Sequence, residues 1–277
     1  MSNSLRDLTV NDHYAHSGLA AAILAGLQRA GKNLDELRFD DLAPVDQFHI
    51  RGKQSTLELA ERAEITAGLR VLDVGGGLGG AARTLASTLN CDVTVLDLTE
   101  EYCRIGEMLT HRVGLSERVR HHHGNALELP FPDASFDGVW TQHCSMNIED
   151  KPKLYGEIRR VLKTGGRFAL HEIMAGDNTP IHFPVPWARH AGISFLRRPD
   201  EVRALIDKAG FQNLVWLDET ENARSWFEKR MQAAATGLPP LGIHLLLGED
   251  FLAMSQNQGR NLSEGRIAVI QAVFEAV

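Results

Sequence analysis

An apolar run that ends in an acid and then turns through five glycines, VLDVGGGLGG at residues 71–80, limits this chain more than any other feature. Glycine takes up positive φ freely and lets a ligand approach the backbone closely, so the run reads as a strand that stops and a helix that starts at once. Such a turn presents unpaired amide N–H groups at the positive end of a helix, a setting that suits an anion. Two spacings are satisfied together. Gly75, Gly77 and Gly80 fit G-x-G-x-x-G, while Asp73, Gly75, Gly77 and Gly79 fit D-x-G-x-G-x-G. The first is the turn that holds a dinucleotide's pyrophosphate. The second adds an acid that a pyrophosphate would repel and that an ammonium beside a carboxylate would welcome.

Downstream of this turn, short apolar runs alternate with helical periodicity. Strands are predicted near 69–74, 92–98, 118–124, 136–142, 166–173, 213–220 and 266–277, and helices near 79–89, 100–114, 150–162 and 199–209. That order predicts an α/β fold, a doubly wound and mostly parallel seven-stranded Rossmann-like sheet. Residues 1–65 read as an N-terminal helical cap of the same domain: AAILAGLQRAG is helical, FDDLAPVDQFHIRGK reads as a loop, and STLELAERAEI returns to a helix with Ser55 as its N-cap. Residues 66–277 carry the ligand-binding sheet, with insertions at 174–198 and 221–265, where substrate specificity is expected.

Charge and cysteine usage narrow the partners. A net charge of −7 argues against a broad nucleic-acid or anionic-membrane surface, leaving a small molecule as the expected partner. Cys91, Cys103 and Cys144 form no C-x-x-C pair, so neither a disulfide framework nor a zinc site is indicated, and a cytoplasmic setting fits best. No run approaches the roughly 18 apolar residues of a membrane span, and the first residues lack a signal-peptide core. His121, His122 and His123 do not converge on one metal ion, because adjacent strand residues face opposite ways. The oligomeric state is left open.

Two later stretches choose between the readings of the glycine turn. Asp97 ends the next strand, CDVTVLDLTEEY, where a carboxylate accepts ribose hydroxyls in either kind of site. HHHGNALELPFPDASFDGVWTQH, residues 121–143, and YGEIRRVLKTGGRF then resemble, in order and spacing, the class I methyltransferases that use S-adenosylmethionine. PVDQFHIRGKQSTLELAE is similar to the cap of sarcosine/dimethylglycine and tocopherol-type methyltransferases, with Arg51 where glycine is usual. The resemblance implies S-adenosyl-L-methionine as cofactor, held by Asp73, Gly75, Gly77, Gly79, Asp97, Leu98, Asn125, Ala126 and Gln142. In that family the residue at Asn125 faces the adenine amino group; an amide oxygen still accepts there.

The acceptor side is drawn from the ends of strands four and five and from the insertions. His143 and Glu172 are the candidate catalytic bases, and Tyr14, His16, Asn147, Trp187 and Arg189 the candidate substrate contacts. Cys144 is expected to be a small filler beside the cofactor. Prolines stiffen FPVPWAR as a lid, with Arg189 a clamp for an acceptor carboxylate. The favoured acceptor is an amine or amino acid nitrogen, such as that of sarcosine or dimethylglycine. A phenol or quinol is the alternative, and an NAD-dependent oxidoreductase or a non-catalytic S-adenosylmethionine-binding module are the readings from other classes. The chain lacks an N/D-P-P-Y/F-like sequence after strand four, where it has TQHC, which speaks against nucleic-acid methylation.

Overall fold

The computed structural model describes residues 10, 12–14, 18–234 and 237–277, with the side chains of 233 and 234 left aside. The cap helices α1 (Leu19–Arg29), α2 (Phe39–Asp46) and α3 (Gly52–Arg62) precede the sheet. Then come β1 (Arg70–Val74), α4 (Gly80–Leu89), β2 (Asp92–Asp97), α5 (Glu100–Arg112), β3 (Val119–His123), β4 (Phe136–Gln142), α6 (Lys151–Val161) and β5 (Leu162–Ala175). The chain continues through α7 (Pro199–Lys208), β6 (Phe211–Asp218), α8 (Thr220–Ala234), α9 (His244–Leu247), α10 (Phe251–Ser263) and β7 (Ile267–Ala276). No described helix is long and apolar enough to cross a membrane.

All seven strands lie in one sheet of order β3-β2-β1-β4-β5-β7-β6. β7 enters antiparallel between β5 and β6, and the other pairings are parallel. The order reverses between β1 and β4, so a crevice opens at their carboxyl ends, directly above the glycine turn. Both faces are covered. Leu72 and Val74 of β1 pack into one core with Ile158, Phe168 and Phe274, while the alternating Val71 packs into the other with Leu59, Leu85 and Trp140.

Two parts of the cap depart from the sequence expectation. Residues 39–46, expected as part of a loop, form α2: the Arg38 amide donates to Asp41 Oδ2 at 2.9 Å, and Leu42 and Val45 are buried. Ser55 is not an N-cap. α3 starts earlier, at Gly52 (φ 51°) with Arg51 (φ 66°) as its N-cap residue, and the buried Ser55 hydroxyl donates back to the Gly52 carbonyl at 2.8 Å. Arg51 holds this left-handed backbone by ion pairs to Glu58 (2.7 Å) and Glu219 (3.1 Å).

A buried ion pair joins cap to sheet. Arg83 of α4 meets Asp46 at 2.8 Å, their side chains 1% and 2% exposed, and also donates to the Leu78 carbonyl (2.6 Å) and Thr110 Oγ1 (2.9 Å). A Cβ on Gly80 would strike the Asp46 carbonyl, and one on Gly79 would come within 2.6 Å of His121 Cε1. Asp46→Ala is expected to destabilise the fold by about 3–5 kcal/mol, because it leaves the Arg83 guanidinium buried without its counter-charge. Denaturant unfolding measures this, and a loss under ~1 kcal/mol would contradict the role given to the pair.

Candidate active site

The turn after β1 is built by backbone. The Gly75 amide donates to the Leu96 carbonyl at 2.7 Å and the Gly77 amide to Asp97 Oδ2 at 2.9 Å. The other Asp97 oxygen accepts from the Thr99 amide at 2.8 Å. Gly75 (φ 71°) has no room for a side chain, since a Cβ would strike Cys144 Sγ, as the filler role expected of that cysteine implies. Gly77 (φ 56°) differs: a Cβ there meets only Tyr102, at 3.9 Å. Its empty side belongs to a cavity of about 750 Å³, which is in the range that encloses small ligands.

Asp73, Gly75, Gly77, Asp97, Leu98, Asn125, Ala126 and Gln142 all line that cavity. Gly79 does not; its missing side chain makes room for His121 under the turn, a packing role in place of the expected ligand contact. The Asn125 side-chain oxygen accepts from the Leu127 amide at 2.8 Å, closing a turn that orients the amide. Gln142 is oriented from behind by Trp140, whose indole N–H donates to Gln142 Oε1 at 2.8 Å.

The remaining walls are largely apolar, with Lys53, Glu149, Asp150 and Arg230 among the charged groups that also line them. Ile173, Trp187, Phe195, Trp226, Phe227 and Phe251 contribute, together with Tyr14, His49, His143 and Asn147. The polar atoms of Tyr14 and Asn147 serve one another: the Tyr14 hydroxyl donates to Asn147 Oδ1 at 3.0 Å, and Asn147 Nδ2 donates to the carbonyls of Trp187 (2.7 Å) and Ile193 (2.9 Å). Asn147 thus ties the N-terminal segment to the first insertion. His16 lies outside the described residues.

Two expected contacts do not reach the cavity. Glu172, 1% exposed, is drawn under the loop after β4, where it accepts from the amides of Cys144 and Ser145, both at 3.1 Å. Burial raises its pKa while these donors and Thr141 hold it down. It is therefore a clamp on the loop and not a base against the acceptor. Arg189 is the second correction. Val185 and Ala188 exchange backbone hydrogen bonds of 2.8 and 2.9 Å, a tight turn that buries Trp187 and sends Arg189 outward to Asp250 at 2.9 Å.

Sequence reasoning also missed residues. Lys151, 2% exposed, donates to the carbonyls of Ser145 (2.7 Å) and Ile148 (3.1 Å), and burial depresses its pKa to about 8. With Glu172 it grips the 143–148 loop from both polarities of its backbone. His49 was read as part of a loop, yet it joins His143 and His171 in a cluster with ring centroids 4.9–6.3 Å apart. No local pattern marks Lys151, whereas His49 stands in the cap stretch PVDQFHIRGK, two residues before Arg51.

Residues 72–170 match the family described as a methyltransferase domain. Over that stretch the chain is similar to the class I S-adenosylmethionine-dependent methyltransferases. A sterol 24-C-methyltransferase of Eremothecium gossypii is 35% identical over 170 residues, covering 59% of this chain and 46% of the relative. A glycine/sarcosine/dimethylglycine N-methyltransferase of Actinopolyspora halophila is 30% identical over 178 residues, covering 64% and 32%. The chain thus spans less than half the length of these two relatives. Among solved structures, the [4+2]-cyclase SpnF superposes with a TM-score of 0.69 at 22% identity, covering 93% of both chains, a likeness of fold.

The acids at the turn fit the methyl donor of this family. Asp73 is buried with Oδ2 unpartnered, and burial, then the charge of Asp97, pushes its pKa up to about 7. Burial also raises Asp97, against the hydrogen bonds of Thr99 and Gly77. A ligand ammonium would relieve both. The raised Asp73 pKa costs the free protein stability as pH rises from the ordinary carboxylate value through about 7, because the folded state holds the proton longer. A ligand ammonium needs the ionised form, so acid opposes binding. S-adenosylhomocysteine affinity is therefore expected to fall by up to about tenfold per pH unit from pH 7 to pH 5. Asp73→Asn should bind more weakly and lose this dependence, which titration calorimetry reads directly.

Proposed function

We propose that this chain transfers the methyl group of S-adenosylmethionine to a small, largely apolar acceptor. The observation that carries the reading is one cavity with two kinds of wall: the glycine turn with its buried acid pair, and an aromatic and aliphatic surface from the insertions. In this reading Asp73 takes the cofactor's ammonium, Gly77 admits its amino-acid end to the backbone beside Gly75, and Asp97 accepts the ribose hydroxyls. Leu98, Asn125 and Ala126 border the adenine, and Gln142 closes the site from β4. The bound cofactor supplies an electrophilic methyl carbon, and the chain's task is to hold the acceptor about 3 Å from it and exclude water.

The first 65 residues act in this proposal as a roof of the same domain, and the insertions at 174–198 and 221–265 as the specificity walls. An amine-and-carboxylate acceptor loses the clamp expected at Arg189, which turns out to Asp250, and keeps the guanidinium of Arg230 in the cavity wall. The names of the relatives cover both a sterol and an amino acid; the apolar walls favour the first kind of acceptor. His143 contributes a neutral wall, its pKa held well below the ordinary value by burial and by the neighbouring imidazoles.

Transfer of labelled methyl from S-adenosylmethionine to a panel of a sterol, a phenol and dimethylglycine tests the acceptor class. Turnover on the apolar members is expected, whereas turnover confined to dimethylglycine would reverse the choice. Gly77→Val is expected to abolish S-adenosylhomocysteine binding in a folded protein, because a branched side chain would fill the open side of the turn. Unchanged affinity would remove the turn from the site. Arg189→Ala is expected to leave acceptor KM within about twofold, as for an exposed ion pair outside the cavity.

A further inference from the structure

A chain of hydrogen bonds behind the cavity fixes the state of one imidazole. Trp140 Nε1 only donates, so the atom facing it at 2.8 Å is the acceptor oxygen of Gln142. Thr56 lies 3.0 Å from the same oxygen and must donate to it. The Thr56 oxygen is then left to accept from His49 Nε2, at 3.1 Å, and the Gly52 carbonyl, also at 3.1 Å, accepts from the same nitrogen. His49 therefore carries its proton on Nε2. Its other nitrogen, Nδ1, is an unprotonated acceptor on a ring that lines the cavity, and it makes no hydrogen bond among the described residues.

The other two imidazoles of the cluster are placed differently. His143 Nε2 and His171 Nδ1 are both buried without a partner, and His171 does not line the cavity. We propose that His49, through Nδ1, takes the proton released by the methyl acceptor, an assignment that rests on the methyl-transfer reading. An acceptor hydroxyl hydrogen-bonds Nδ1, and a lone pair of its oxygen forms the new bond to the methyl carbon. The carbon–sulfur bond breaks with its electron pair going to sulfur, and the O–H proton passes to Nδ1. The resulting imidazolium keeps its Nε2–H on the Gly52 carbonyl and later releases the Nδ1 proton to water.

Burial lowers the pKa of His49 to about 4, against the hydrogen bond to Gly52. The ring is thus neutral and ready at neutral pH. A base this weak suffices, because an oxygen acquiring a third bond becomes far more acidic than imidazolium, so proton transfer is late and downhill. The amine version is the same with N–H in place of O–H.

Nitrogen NMR of histidine-labelled protein, saturated with S-adenosylhomocysteine and titrated with 4-fluorophenol, tests the assignment. The expected result is Nε2 protonated and Nδ1 bare at His49, with the Nδ1 signal moving toward the protonated range as 4-fluorophenol binds. His49→Gln retains a donor toward Gly52 and Thr56 but no base; it is expected to weaken 4-fluorophenol about tenfold and S-adenosylhomocysteine less than twofold. A proton on Nδ1, a response at His143 in place of His49, or an unchanged 4-fluorophenol affinity in the variant would overturn the proposal. Failure of the unaltered protein to bind S-adenosylhomocysteine would instead overturn the methyl-transfer reading, and this step with it.

Discussion

The Arg83 guanidinium sits where cap, glycine turn and second crossover helix meet, and the cavity exists because that meeting is fixed. Its partner Asp46 ends α2, and the next three residues, Gln47, Phe48 and His49, are cavity roof. Its bonds to the Leu78 carbonyl and to Thr110 hold the turn itself and α5 in register. Two of the turn's glycines, Gly79 and Gly80, are explained by this packing and not by a ligand. A buried pair of this kind contributes little to net stability against an apolar replacement, yet losing one partner is costly; its value here is geometric.

Behind the cavity several polar groups that the sequence places near it are turned to other tasks. Glu172 and Lys151 are spent on the backbone of one loop, the three imidazoles are held neutral by burial, and Arg189 is outside. Asp73 and Asp97 are the acids left at the turn, both pushed toward their neutral forms. A cationic ligand reverses that push, so the same burial that disfavours their charged forms favours a ligand with an ammonium. Selectivity for the donor is in this way an electrostatic property of two residues 24 positions apart.

Much of this was legible in the chain. Seven strands and their helices follow from apolar runs bounded by turns, and the motif acids from their position at strand ends. What failed was long-range. FDDLAPVDQFHIRGK reads as a loop, yet burial of Leu42 and Val45 makes a helix of residues 39–46. Glu172 ends near the crevice as its strand position implied, but amides 27 and 28 residues away captured it. Arg189 was drawn off by Asp250, 61 residues on. Lys151 carries no local signal, and the cap stretch that holds His49 does not name its partners, which folding supplies.

Titration calorimetry of the unaltered protein with S-adenosylhomocysteine and, separately, with NAD puts the central claim to its most direct test. One equivalent of S-adenosylhomocysteine bound and no detectable NAD binding is the predicted result. Binding of NAD in preference would contradict the account, since it would mean that the turn beside Asp73 receives a pyrophosphate.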